Sequence, residues 1–247
     1  MEVSIVSVRI LIVGEGALSI QFGEEISLDI NRKVKELFEN LKETPIRGIT
    51  EMVPTYCSLL VHYKPEIIRF QALVEQINPR LSAIKDKKDV KEYIVEIPVL
   101  YGGDVGIDLE DCARLENIGV QEFIKIHSQS EYYVYMLGFA PGHAYTARFE
   151  NPFHFKRRES PRVSIPGNCV VVAGNQSNMI PFPQPCGWNI IGAIPIDVCN
   201  YNRKNPFLVQ AGDWVKYVPI NIAEYRKIQK KVLAGKYECK RYERVKR

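Results

Sequence analysis

Histidine and tryptophan are scarce in this chain, four and two among 247 residues. The familiar catalytic signatures are missing altogether. There is no GxSxG nucleophile elbow, no HExxH zinc helix and no GxxxxGK phosphate loop closed by Ser or Thr. No GxGxxG joins a strand to a helix either. The six cysteines, Cys57, Cys112, Cys169, Cys186, Cys199 and Cys239, form no CxxC pair, and none stands at metal-ligand spacing from a histidine. They read as reduced, mostly buried thiols, which leaves no metal site to expect. No apolar run reaches the roughly 18 to 20 residues that span a bilayer. The opening MEVSIVSVRILIVGEG lacks a basic n-region and a small-residue cleavage site. These absences point to a cytoplasmic protein with no membrane span. There is also no internal repeat and no low-complexity linker.

What is present is ordinary for a globular protein: 46% hydrophobic and 25% charged residues, enough chain for one large domain or two modest ones. The net charge of +4 is uneven. Residues 221–247 hold ten Lys/Arg and three Glu, or +7, leaving −3 for the remainder. A basic tail can mark nucleic-acid binding. Here AEYRKIQKKVLAGKY reads instead as a solvated helix, with Ile222, Tyr225, Ile228 and Val232 toward the body and Gly235 as its stop. No nucleic-acid motif accompanies it, so no nucleic-acid partner is expected.

Taken in order, Arg9 to Phe22 reads as two short strands around Gly14 and Gly16. Asp29 to Leu41 is an amphipathic helix with Asp29 as a credible N-cap. Ile46 to Pro54 and Ser58 to Tyr63 are strands, Ile67 to Ile77 a helix, and Tyr93 to Val99 alternates like an exposed edge strand. The resulting β-β-α-β-β-α-β order suggests an α+β layer, an antiparallel sheet with helices on one face. The charged, core-poor stretch Lys85 to Lys91 marks the junction, giving domains 1–90 and 91–247. The second opens with a turn at Tyr101 to Gly103. A helix follows at Asp108 to Glu116, with Leu109, Cys112, Ala113 and Leu115 inward, and another at Val120 to His127. His127 reads as structural. Beyond Tyr132, the runs YVYMLGF, CVVVAG, WNIIGAIP, FLVQAG and WVKYVPI, separated by Gly, Pro and Asn, predict an all-β barrel or sandwich. A basic C-terminal helix and tail end the chain.

The stretch with most chemical potential is Tyr132 to Thr146, YYVYMLGFAPGHAYT. Locally it is either a buried strand with its turn or a strand feeding a loop that holds donors at the edge of a cavity. A second Gly/Pro-dense stretch, Ser160 to Pro195, is expected to fold against it into one pocket. Polar residues among these loops are His143, Tyr145, Arg162, Asn175, Gln176, Asn178 and Gln184. His143 stands in a Gly/Pro loop and could titrate near neutrality and shuttle a proton. Arg162 could clamp a carboxylate or phosphate with two parallel bonds. Glycines such as Gly138, Gly142, Gly167 and Gly174 could bring backbone donors to an anion. Trp188 and Trp214 read as core. These residues alone indicate a pocket for a small polar or anionic ligand.

Over about Val8 to Tyr237 the chain resembles the KipI/PxpB family, the 5-oxoprolinase B-component or allophanate hydrolase subunit 1-like proteins. The residues that carry the resemblance are GEGALSIQFGEEI (14–26), VPTYCSLLVHY (53–63), IPVLYGGDVGIDLEDCA (97–113), IHSQSEYYVYMLGFAPG (126–142), SPR (160–162), GW…IG…P (187–195) and FLVQAGDWVKYVPI (207–220). The resemblance implies an α+β N-terminal domain followed by a cyclophilin-like barrel. It implies work beside a subunit-2-like (PxpC/KipA) protein and a LamB/YcsF-like (PxpA) protein, opening the lactam of 5-oxoproline to glutamate with ATP. ATP would be shared with, or bound by, one of those partners. One family member instead inhibits a sporulation histidine kinase, so a kinase partner and a related amide hydrolase are alternative readings. For the lactam-opening chemistry His143, Arg162 and Tyr145 are the catalytic candidates, with no role for His143 carried over from the family. Gly138, Phe139, Pro141, Gly142, Asn175, Gln176 and Trp188 are the substrate-binding ones. The family's GFxPGFPYL loop is here GFAPGHAYT, which puts His143 where an aromatic is usual. A GRTP-like segment becomes Gly192-Ala193-Ile194-Pro195 and loses an Arg, so the substrate or the activity could differ.

Overall fold

Alternation of apolar and polar side chains builds the first sheet. In a computed structural model, which describes residues 8–84, 91–147 and 153–245, strand β1 is Arg9–Ile12 and β2 is Ala17–Gln21. Helix α1 (Leu28–Glu43), β3 (Ile49–Pro54), β4 (Ser58–Tyr63) and α2 (Phe70–Ala83) follow. The strands lie in the order β1-β2-β4-β3, all antiparallel. Leu18 and Ile20 face Val61 and Leu59 across the ladder, and all four are fully buried. Val34, Leu37 and Leu41 of α1 and Leu73 and Ile77 of α2 fall at helical spacing and enter the same cluster, so both helices cover one face. Each such side chain contributes about 1.5–3 kcal/mol on burial. The buried Asn31 ties α1 to the β3–β4 turn by donating to the carbonyls of Thr55 and Tyr56 at 3.0 and 3.2 Å.

Two local expectations shift. Ser27, not Asp29, holds the N-cap position of α1; Asp29 lies in the first turn, where its charge suits the helix dipole. Helix α2 starts at Phe70 because Ile67 and Ile68 close a separate turn onto the Lys64 carbonyl.

Contacts divide the chain into Met1–Val90 and Lys91–Arg247. Of the expected junction, residues 85–90 lie outside the described residues. The second unit begins with β5 (Tyr93–Tyr101), a turn of 3-10 helix at Gly103–Val105, α3 (Leu109–Leu115) and α4 (Val120–Gln129). Then come β6 (Glu131–Leu137), β7 (Ala144–Ala147), β8 (Arg162–Ile165), β9 (Cys169–Ala173), β10 (Gln176–Ile180), β11 (Gln184–Cys186), β12 (Asn189–Ala193) and β13 (Trp214–Pro219). Helix α5 (Ile222–Leu233) and β14 (Arg241–Glu243) end the described chain.

Seven strands close into a barrel in the order β12-β9-β10-β7-β6-β13-β5 and back to β12. Strand β5 is therefore not an exposed edge of the first sheet. It runs parallel to β13 on one side and pairs with β12 and β14 on the other. Closure at β12 needs Gly192, whose backbone comes so near that an added Cβ would sit 2.5 Å from the Leu100 carbonyl oxygen. CVVVA reads as an unbroken apolar run because both faces of β9 are covered. Val170 and Val172 enter the main barrel cluster, while Cys169, Val171 and Ala173 pack with Ile165, Ile180, Trp188 and Ile190 in a second. That second cluster lies with the β8–β11 ribbon.

Three further differences are local. FLVQAG is not a strand; only Phe207 bridges, to Cys199, before Gln210–Asp213 turns the chain. Leu115 points to solvent from the last turn of the seven-residue α3. Helix α5 is set by an Asn221–Glu224 capping box and stops at Gly235 in a left-handed conformation. Strand β14 is pinned by Arg241 on Asp213 (2.7 and 2.8 Å) and by the Arg244 N–H on the Glu92 carbonyl at 2.8 Å.

Candidate functional site

The loop between β6 and β7 folds on itself. Gly138 N–H donates to the His143 carbonyl (3.1 Å), Ala140 N–H to Gly138 (2.8 Å) and His143 N–H to Ala140 (3.0 Å). Phe139 takes a left-handed φ of 66° and is 73% exposed, an unfavourable backbone state for an aromatic residue. Gly142 has φ 81°, and a Cβ there would press Cys199 at 3.0 Å and Phe207 at 3.2 Å. Pro141 sits at the exposed tip. The buried Gly142 N–H has no hydrogen-bond partner among the described residues and stays a backbone donor.

This tight turn drives the His143 side chain inward, to 7% exposure. Its ring stacks on Tyr145 (4.8 Å, 14° between planes) and meets Phe139 edge-on at 5.9 Å. Burial lowers its pKa to about 4, so the imidazole is neutral at physiological pH. The two Gly/Pro-dense stretches do meet here. Gln184 of β11 lies 3.1 Å from His143 Nδ1, and Asn178 of β10 lies 3.5 Å from Nε2. Tyr145 is half-buried; burial raises its hydroxyl pKa, against the opposing charge of Arg157.

Arg162 is held elsewhere. Its guanidinium forms two parallel bonds of 2.7 Å to Asp108, which also receives Arg158 at 3.1 Å and the Ile190 N–H at 2.8 Å. Burial pushes the Asp108 carboxyl up, but the Arg162 and Ile190 hydrogen bonds and both arginine charges outweigh it and hold the pKa below its usual value. Arg162 thus anchors β8 to the start of α3. Asn175 sits in the β9–β10 turn. Gln176 is three residues along β10 from Met179, which faces Ala144, so it lies about 10 Å along the strand from the His143 end. Trp188 belongs to the second cluster, with Arg157 over its ring at 5.2 Å.

His127, read as structural, is fully buried between the Tyr101 hydroxyl (2.7 Å) and Ser177 Oγ (2.8 Å), and stacks on Tyr217. A serine, a histidine and a tyrosine in a row suggest nucleophilic catalysis on paper. His127 and Ser177 are sealed in the barrel core and Tyr101 is partly buried against them, so they work as packing and internal hydrogen bonds. Elsewhere, a groove of about 490 Å³ beside α5 is lined by Arg226, Lys227, Lys230, Lys231 and Lys236, away from both Gly/Pro stretches in sequence. Among the described residues no group of His, Cys, Asp or Glu could hold a metal ion, and no helix is long and apolar enough to cross a membrane.

Comparison with known proteins agrees with this architecture. The carboxyltransferase domain, subdomain C and D, matches residues 8–209. A Bacillus subtilis protein named as the B component of 5-oxoprolinase is 37% identical over 222 residues, covering 86% of this chain and 92% of that protein. The chain belongs to the KipI/PxpB family. Another protein of that name, from Escherichia coli O157:H7, is 29% identical over 212 residues, 85% of this chain and 95% of its own. Among solved structures, TTHA0988 superposes on this KipI/PxpB chain with a TM-score of 0.73 at 31% identity, covering 83% of it. The chain spans only 40% of that longer protein. The K. lactis urea amidolyase gives a TM-score of 0.80 over 96% of this chain and 16% of its own, at 18% identity, and shares the fold.

Asp108 escaped the sequence reading as a site residue. Its position before α3 was visible, but nothing local links it to Arg162, 54 residues on. Asn178 and Gln184 stood among the polar loop residues, yet no local signal singled them out as the neighbours of His143.

Proposed function

We propose that this chain is the B component of a cytoplasmic, ATP-dependent 5-oxoprolinase complex that opens the lactam of 5-oxoproline to glutamate. The observation that supports this best is the near full-length match to a protein named as that component. A five-membered lactam is a poor electrophile, and ATP can activate it by phosphorylating its oxygen. Water then adds at the ring carbon and the C–N bond breaks as the nitrogen takes a proton, which leaves an acyl phosphate that a second water hydrolyses to the glutamate carboxylate and free phosphate. Arg162 is bound to Asp108, and no phosphate loop is present in the sequence. In this reading ATP is shared with, or bound by, a partner, a subunit-2-like (PxpC/KipA) or LamB/YcsF-like (PxpA) protein, and no step is drawn through it on this chain.

In this reading the Gly138–His143 loop lines the lactam site. His143, neutral and buried, orients rather than acts as an acid. The Gly142 N–H offers a fixed donor where charge develops on oxygen. Tyr145 backs the imidazole, and Arg162 holds the β8 side through Asp108. The test is reconstitution of the three proteins with 5-oxoproline and ATP. Glutamate and phosphate released in equal amounts, dependent on this chain, are expected. A stable complex that releases neither would overturn the proposal and turn attention to kinase inhibition.

A further inference from the structure

Three amide groups around His143 determine where its proton sits. The Thr146 backbone N–H is a donor whatever else changes, and it points at Asn178 Oδ1 at 3.0 Å. That fixes the Asn178 amide, so its NH2 is the end facing His143 Nε2 at 3.5 Å. Nε2 must then accept, and the proton of the neutral ring lies on Nδ1. The structure sets the Gln184 nitrogen 3.1 Å from Nδ1, but two NH2 groups cannot both donate to one neutral imidazole; with Asn178 fixed by Thr146, it is the Gln184 amide that must be turned over, so that its oxygen accepts from Nδ1–H. The far end of the Gln184 amide, where the structure sets Oε1 before that turn, is buried, 8% exposed for the whole residue, and no group among the described residues pairs with it. In this arrangement that unpaired end is the NH2, two donors without an acceptor. An unmade hydrogen bond there costs about 1–3 kcal/mol.

We infer that the Gln184 side-chain NH2 is a ligand contact, donating to an oxygen acceptor of the bound small molecule, either an amide carbonyl or a carboxylate. The inference rests on the reading that the His143 loop is the ligand site, and it deepens that reading. Three elements make the position. The β11 strand carries Gln184, its pairing with Ile165 of β8 fixes the strand, and His143 Nδ1 holds the near end of the amide. Gln184 is thereby a preorganised donor, neutral and fixed by a second side chain, which suits a polar uncharged group as well as an anion.

The test uses the full chain labelled with 15N on histidine and glutamine side chains. His143→Phe assigns the imidazole and Gln184→Met the amide. Expected first is an imidazole protonated on Nδ1 and bare on Nε2. The Gln184 NH2 signals are then followed during titration with 5-oxoproline, 2-pyrrolidinone, which keeps the lactam carbonyl without a carboxylate, and proline, which keeps the carboxylate without that carbonyl. A shift with 5-oxoproline and 2-pyrrolidinone identifies the carbonyl as the acceptor; a shift with 5-oxoproline and proline identifies the carboxylate. Gln184→Met should weaken 5-oxoproline binding about fivefold, the loss of one hydrogen bond to a neutral donor. A proton on Nε2, or an amide unmoved by all three compounds, overturns the inference even if Gln184→Met fails to fold. Glutamate release by the reconstituted complex with an unmoved Gln184 amide would sink this inference alone. A shifted amide without ATP-dependent turnover would sink the proposed reaction alone.

Discussion

Acidification should destabilise this protein through His143 before the arginine-paired Asp108 titrates. The unfolded chain binds the His143 proton with an ordinary pKa of 6.5, whereas burial lowers the folded value to about 4. Between those limits the unfolded state holds more protons, so stability falls as pH falls. The contribution is fully present above pH 6.5 and gone by about pH 4, and the difference amounts to about 3 kcal/mol. That is a large share of the 5–15 kcal/mol typical of a folded domain. Asp108, whose pKa is held below 3.8, titrates beneath this window and does not blur it. The assay is urea unfolding followed by fluorescence, at several values between pH 7.5 and 4.5, for the wild type and for His143→Phe. The variant leaves Asn178 and Gln184 facing an apolar ring, which lowers stability by an amount independent of pH. The wild-type curve should therefore fall toward the variant's on acidification, by about 2 kcal/mol at pH 5. Parallel curves across the whole range would refute a buried, neutral His143.

Two further outcomes follow from the geometry. Asp108→Ala removes the acceptor of the Arg162 fork and strands a half-buried guanidinium beside the Ile190 N–H; a loss of about 3–5 kcal/mol is expected in denaturant unfolding, and a change under 1 kcal/mol would deny the anchoring role. Gly142→Ala must take a left-handed backbone and push against Cys199 and Phe207, so it should lower thermal stability by about 1–3 kcal/mol and blur the His143 signals, with an unchanged melting curve counting against the loop geometry.

The parts legible in the sequence were those with local causes. Val34, Leu37 and Leu41 show the buried stripe of α1 directly. CVVVA announced a wall strand because both its faces are covered. Gly138, Pro141 and Gly142 marked a shaped turn, and the turn exists. What stayed hidden depends on distant partners. AYTA, QPC and RYE are too short and too polar to read as strands, and each is stabilised by a ladder neighbour tens of residues away. YIVEIPV looked like an edge because alternation does not show how many neighbours a strand has. Arg162 resembled an anion clamp until the fold brought Asp108 to it. The tautomer of His143 depends on Thr146, Asn178 and Gln184 together, a relation no spacing encodes.

The pairing of β14 with the start of β5 has a use beyond stability. Glu92 and Arg244 are hydrogen-bonded to each other, so the barrel unit's entry and exit share one doorway. Such a module can be spliced into a surface turn of a longer polypeptide without prying its host apart, or re-cut at a new opening with its old ends sewn together by a few residues.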